Sequence, residues 1–320
     1  MINLTQKVKY LVCSGGVAML ALTATPAQAI SFVSTFRPTA TGPVRPLTTE
    51  VGSVDAAGNY STIYTSELQL TDIALSATNE LFGINYTELY RLPYGTPAAP
   101  TVGNQVAVGS FSDGTQSISL NGLGFDNNNN LYAIGGVNSA GTVGTTNGFF
   151  RLNTTTGRAT LISTLGSLTP SAFTLGGDAS DIVFNPNPVS ASNPDGGRFF
   201  ATTRNADSIL FSIGLDGSTR VIGNTGKDKV AGLTFENGNL FGYTADRNRV
   251  QLDLLTGNTT AVTSLQSNVL SPQFGEALNI GGAASTATEV PEPSSAAGFV
   301  FLGVCFGAHK MMKRKQKLED

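Results

Sequence analysis

Gly232-Leu233-Thr234-Phe235-Glu236-Asn237-Gly238-Asn239-Leu240-Phe241-Gly242-Tyr243 sets two short apolar, aromatic-bearing runs on either side of a Glu-Asn-Gly-Asn break. Asn and Gly tolerate the positive φ that a tight antiparallel turn requires, so the stretch reads as a β-hairpin. The pattern recurs upstream. Asp72-Ile73-Ala74-Leu75 leads through Ala77-Thr78-Asn79 to Leu81-Phe82-Gly83-Ile84, and Gly122-Leu123-Gly124-Phe125 leads through Asn127 to Asn130 into Leu131-Tyr132-Ala133-Ile134. Asp181-Ile182-Val183-Phe184 reaches Arg198-Phe199-Phe200-Ala201-Thr202 after an insertion.

A second hairpin follows each of these. Its first strands are Leu89 to Leu92, Phe149 to Leu152, Ile209 to Ile213 and Val250 to Leu254. Three of them turn at Thr156-Gly157, Asp216-Gly217 or Thr256-Gly257 and return as Ala159 to Ile162, Thr219 to Ile222 or Thr259 to Val262. Four strands per unit, recurring in phase, predict an all-β chain folded as a β-propeller, each sheet being covered on both faces by its neighbours. A two-domain β-sandwich is the competing arrangement, disfavoured by the constant phase of the repeat.

Gly275 to Ile280 looks like one more innermost strand with nothing after it. Its partners are expected from the front of the body, Ser31 to Phe36, Thr48 to Val54 and Tyr60 to Tyr64. Closure by strands from both chain ends leaves no open sheet edge between first and last blades. The count is five four-stranded blades, or six if Thr101 to Leu120 contributes to another. The units resemble the secreted bacterial propeller repeats written "LYxINxxTGxATLIG", with Gly148 to Ser163 the best local match.

The chain ends describe export. Lys7 and Lys9 precede an apolar stretch from Tyr10 to Ala24, and Ala27-Gln28-Ala29 has the small-x-small pattern of signal-peptidase cleavage. Residues 1–29 are therefore expected to be a signal peptide with a signal helix, and Ile30 the first mature residue. At the other end Pro291-Glu292-Pro293 is followed by an uncharged run from Ser294 to Ala308 and by Lys310, Lys313, Arg314, Lys315 and Lys317. A helix of about fifteen residues is roughly 22 Å long, so it spans a hydrocarbon core of roughly 30 Å only with snorkelling lysines or local thinning. The basic cluster should stay cytoplasmic, leaving the body on the far side.

This tail, Val290 to Lys317, resembles the PEP-CTERM sorting signal of Gram-negative bacteria. The resemblance implies that Pro291, Glu292 and Pro293 are recognised by the membrane protease exosortase, that 294–309 is the transmembrane helix and that the basic residues of 310–320 stop transfer. It also implies a membrane-anchored precursor whose tail is removed, with exopolysaccharide in the surroundings. An ordinary C-terminal anchor behind a proline-containing linker, 285–293, is the plainer reading. The body between, 30–284, is the propeller.

Composition narrows what the body does. The sole histidine, His309, and both cysteines, Cys13 and Cys305, lie in the segments expected to be removed. A Ser-His-Asp triad, a Cys-His pair, a zinc site of the usual ligands and a disulfide are all beyond its side chains. Setting aside Lys7, Lys9, the five tail cations, Glu319 and Asp320 leaves twelve basic against twenty acidic residues, a balance of minus eight. That balance opposes nucleic acid and anionic lipid as partners.

Three carboxylates stand at inner-strand starts. Asp72 and Asp181 open two units where Gly122 and Gly232 open the others, and Asp178 lies near the same end. Facing one another across a central channel they could hold a cation or act as an acid/base pair; capping their own turns is the simpler role. Asp126-Asn127-Asn128-Asn129-Asn130 is a weak Ca²⁺ candidate in a row that equally makes a plain turn. Two insertions, Gly135 to Asn147 and Asn185 to Gly197, are expected to project from opposite faces and offer recognition loops. The expected function is an envelope or matrix binding module for polysaccharide or a surface protein. The alternatives are a carboxylate-based propeller glycosidase or lyase and a purely structural matrix component.

Overall fold

The computed structural model describes residues 31–38, 47–112, 117–138, 146–165, 179–203, 208–266 and 279–285. The segments expected to be a signal peptide (1–29) and a sorting tail (286–320), and Asp178, lie outside them. Among the described residues no helix is long and apolar enough to cross a membrane.

Five sheets, antiparallel apart from one short parallel edge pairing, succeed one another along the chain. The closing sheet takes β1 (Ser31–Pro38), β2 (Leu47–Val54) and β3 (Tyr60–Ser66) from the front of the body. The first blade is β4 (Asp72–Leu75), β5 (Leu81–Ile84), β6 (Glu88–Leu92) and β8 (Val106–Ser110); β7 (Thr101–Val102) falls between the last two in sequence but pairs with β3. The second is β9 (Ser117–Phe125), β10 (Leu131–Asn138), β11 (Thr146–Leu152) and β12 (Ala159–Leu165); the third is β13 (Ala179–Phe184), β14 (Phe199–Thr203), β15 (Ile209–Ile213) and β16 (Thr219–Asn224). The fourth is β17 (Val230–Glu236), β18 (Asn239–Thr244), β19 (Asn248–Leu252) and β20 (Thr259–Ser264). The last strand, β21 (Asn279–Ser285), pairs antiparallel with β1 and completes the closing sheet in the order β21-β1-β2-β3. Inner strands β4, β9, β13, β17 and β21 pack each against the next, and β21 returns to β4, so the ring has five blades.

Thr101 to Leu120 does not form a sixth blade. Thr101 and Val102 run parallel to β3 as a fifth strand of the closing sheet, Val106 to Ser110 is the outer strand of the first blade, and Ser117 to Leu120 begins β9. The last inner strand sits later than expected, from Asn279 to Ser285, one residue into the segment assigned to the linker.

Each blade interface is its own small core. Tyr132, Phe149, Phe199 and Phe211 fill the gap between second and third blades, with Tyr132 stacked on Phe149 and Phe184 edge-on to Phe199. Phe82, Phe125 and Phe150 do the same between first and second, and Phe200 and Phe235 between third and fourth. Large aromatics suit this geometry because wedge-shaped gaps between twisted sheets need bulky, rigid fillers. At the rim, the turn before each outer strand clasps the preceding blade: Gly157 lies on Gly109, Gly217 on Ser163 and Gly257 on Gly223. Backbone bonds Ala159 N–H to Phe111 O and Thr259 N–H to Thr225 O secure two of these contacts. The Thr-Gly and Asp-Gly pairs of the repeat thus serve inter-blade packing as well as the turn.

Candidate functional site

At the axis the blades share one position. Asp72, Gly122, Asp181, Gly232 and Gly282 stand at equivalent points of the five inner strands, and in the last four a β-bulge immediately precedes the residue. The N–H of the next residue in every strand is taken by one of the two aspartates. Asp72 accepts from Ile73 through Oδ1 (2.8 Å) and from Leu123 through Oδ2 (2.5 Å). Asp181 accepts from Ile182 through Oδ1 (2.6 Å) and from Leu233 and Ala283 through Oδ2 (2.6 and 3.1 Å). Five converging donors are thereby satisfied by two side chains, one contribution from every blade.

Glycine at the other three positions makes this arrangement fit. A Cβ on Gly282 would lie 1.7 Å from Asp72 Oδ1, and one on Gly122 would lie 3.3 Å from the Asp181 Cα. Both carboxyls are fully buried and hydrogen-bonded to each other. Burial pushes both pKa values well above the usual carboxylate range, and the neighbouring Asp181 charge raises Asp72 further. Asp181 receives three N–H bonds against two, so the charge rests there and Asp72 keeps the proton.

Next to this layer the axis is an apolar slot of about 10 Å³ lined by residues such as Leu75, Leu123, Val183 and Ala284, room for about one water. The structure therefore brings Asp72 and Asp181 together, as facing carboxylates should be, but seals them as acceptors for the ring's own backbone. Their capping role outweighs an open acid/base or cation site. The alternation of Asp and Gly at unit starts was the visible signal; the convergence of five N–H groups was not.

Asp126 also caps. Its Oδ1 accepts from the N–H groups of Asn128 and Asn130 (2.9 and 2.8 Å), and its Oδ2 from Asn130 Nδ2 (2.9 Å). Asn129 adopts φ 61° and accepts from Ala77 N–H of the first blade through its Oδ1 (3.0 Å). The Asp126 carboxylate is thus spent on the turn and Asn129 Oδ1 on joining blades. Among the described residues no group of three or more His, Cys, Asp or Glu is placed to share a metal ion.

The insertion from Asn185 to Gly197 is an ordered cap with a buried polar centre. Asn185 donates to Asn193 Oδ1 (2.6 Å) and to Asp195 O (3.1 Å), while Asn193 donates to Pro188 O (3.0 Å). Asp195 reaches back over its own blade to Ser212 Oγ (2.7 Å) and to the Arg220 guanidinium. Of the other insertion, residues 139–145 lie outside the described set; its flanks extend β10 and β11.

Among the described residues an open concavity lies between the β9–β10 and β11–β12 turns of the second blade. It encloses about 330 Å³, at the lower end of the roughly 300–1,000 Å³ usual for small-ligand sites. Asn129, Asn130, Arg151, Asn153, Thr155 and Thr160 present amides, hydroxyls and one guanidinium, and no carboxylate lines it. Arg151 Nη2 donates to Asn130 Oδ1 (2.5 Å), and Asn130 is held in turn by Asp126. This bowl opens on the same face as the start of β1 and the end of β21.

No family model and no curated protein matches the chain. Among solved structures, a protein of unknown function from Bacteroides caccae shares 9% identity over 82% of this chain and 100% of that one, with a TM-score of 0.43. The Dos1 propeller shares 12% over 68% of this chain and 55% of that one, TM-score 0.36. A luciferin-regenerating enzyme shares 11% over 68% and 72%, TM-score 0.40. These likenesses concern the path of the chain, and no residue role is carried across from them.

Proposed function

We propose that the chain is an exported binding module of the cell envelope or extracellular matrix that recognises polysaccharide through the bowl of its second blade. Signal peptidase acts after Ala29, exosortase acts at Pro291-Glu292-Pro293, and the tail holds the precursor in the inner membrane until it is removed. The observation that carries the binding role is the contrast between the two concavities. The axis is closed by side chains committed to the fold, whereas the bowl is open, polar and free of carboxylates. A glycosidase or lyase built on paired carboxylates needs them in an open pocket, and among the described residues the facing pair Asp72 and Asp181 is sealed. Sugar hydroxyls are matched by the amide and hydroxyl groups that line the bowl.

A glycan array probed with the purified protein, with and without Ca²⁺, tests this. Binding of at least one glycan class is expected, and silence toward every glycan in both conditions overturns it. Mass spectrometry of the exported protein is expected to find Ile30 at the start and the basic tail absent; an intact C terminus inside the cell counts against the sorting pathway.

A further inference from the structure

The blades repeat the polar groups at the bowl's position, which allows the bowl to be compared with its own counterparts. In each of the first four blades the residue closing the inner hairpin turn meets one on the third strand: Glu80 with Arg91, Asn130 with Arg151, Arg198 with Ser212, Asn239 with Gln251. Pairing registers make Arg151, Ser212, Arg91 and Gln251 equivalent, facing Thr160, Arg220, Val106 and Ala261 on the outer strands.

In both neighbouring blades a carboxylate of the chain answers the arginines of this cluster, Arg91 at the third-strand position of the first blade and Arg198 and Arg220 beside Ser212 in the third. Arg91 meets Glu80 at 3.4 Å. In the third blade the insertion folds back to lay Asp195 over the site, where Ser212, Arg220 and Arg198 surround its carboxylate. Asp195 is buried although it comes from a long surface loop. The three groups that hold it, Arg198, Ser212 and Arg220, are the equivalents of Asn130, Arg151 and Thr160, three residues of the open bowl. In the second blade Arg151 is answered by the neutral oxygen of Asn130, and among the described residues no insertion covers the site.

We infer that the bowl is a carboxylate-accepting subsite, the uncovered counterpart of the place that Asp195 fills in the third blade, and that it takes the carboxylate of a uronic acid unit. Arg151 supplies a charge-assisted donor pair for the carboxylate. Thr160 and Thr155 supply hydroxyls, and Asn129 and Asn153, whose Oδ1 atoms are taken by backbone N–H groups, flank it with amide NH2 donors suited to ring hydroxyls. That neutral lining favours a sugar acid over an acidic peptide. The body's charge of minus eight opposes a polyanion at long range, so recognition is local, and it is best read at about 0.15 M salt, where charges beyond roughly 8 Å are screened. This inference rests on the proposed glycan-binding role and specifies its ligand.

The test is calorimetric titration of the full chain in detergent with a short oligouronate, with the same oligomer reduced to neutral hexose units, and with an oligoglutamate peptide of equal charge. The oligouronate is expected to bind and the reduced oligomer to bind at least tenfold more weakly. Arg151→Gln should cost at least tenfold. Asn130→Asp should do the same, because it gives Arg151 an internal carboxylate as Glu80 does for Arg91. Circular dichroism melting checks that both variants are folded. Equal binding of the oligouronate and its reduced form, or wild-type affinity in both variants, overturns the carboxylate subsite while leaving a neutral-glycan module standing. Binding of oligoglutamate without oligouronate overturns the ligand class. Failure of every saccharide overturns this inference and the proposed function together.

Discussion

Raising the pH should loosen the ring at its axis. Asp72 has an ordinary value of 3.8 in the unfolded chain and a raised one when buried beside Asp181, so between those values the folded state holds a proton that the unfolded state has released. Stability from this group is complete below the unfolded value and is lost as pH climbs toward the folded one, at about 1.4 kcal/mol per pH unit. The loss runs through each pH unit between the unfolded value and the raised folded one, for one retained proton. The interval from about pH 5.5 to 7.5 is unusually clean, since the sole histidine, His309, belongs to the tail and ordinary carboxylates have finished titrating. Urea unfolding at a series of pH values measures it. Asp72→Asn supplies the control: its amide can donate to Asp181 in place of the acid proton, yet only one of Ile73 and Leu123 N–H keeps an acceptor. The variant should be about 2 kcal/mol less stable than wild type at pH 5.5, without the slope that Asp72 gives the wild type, so the gap narrows as pH rises. Asp181→Asn removes both the charge and acceptors for three donors, so it should be the more damaging change throughout. A wild-type stability that is flat or rising over this interval, or an Asp72→Asn protein that keeps the slope, refutes the shared-proton assignment.

Gly282→Ala places a methyl 1.7 Å from Asp72 Oδ1 and should cost about 3 kcal/mol in urea unfolding, the upper part of the overpacking range. Gly257→Ala meets the Gly223 backbone at 3.0 Å from a φ of 78°; about 1.5 kcal/mol, or roughly 5 °C in Tm, is expected by calorimetry. Asp195→Ala leaves Arg198, Arg220 and Ser212 without their shared acceptor. With Arg220 partly exposed, about 2 kcal/mol is expected, and limited proteolysis should begin to cut between Asn185 and Gly197.

The blades were legible because what makes them is local. Alternating apolar runs and Asn/Gly turns such as Glu236 to Asn239 specify hairpins wherever they occur, and four in-phase copies leave few ways to cover both faces of each sheet. Ring closure was legible too, from an inner strand near Ile280 that lacked partners and front strands that lacked an inner one. Blade number was less so: Thr101 to Leu120 carries strand-like residues, and only their neighbours decide that they join three different strands.

The sites divide along the same line. Residue type and position alone pointed to Asp72 and Asp181 as facing carboxylates and excluded histidine and cysteine chemistry from the body. Only the closed ring decided that these aspartates are sealed among five N–H groups, because the donors come from strands up to about 210 residues apart in sequence and meet through the geometry of the axis. The bowl was likewise invisible along the chain: Arg151, Asn130 and Thr160 look like ordinary strand and turn residues, and their likeness to Ser212, Arg198 and Arg220 appears only when two blades are laid over each other. Hairpins follow from short-range pattern, whereas what fills or leaves open the spaces between them follows from which distant segments the fold brings into register.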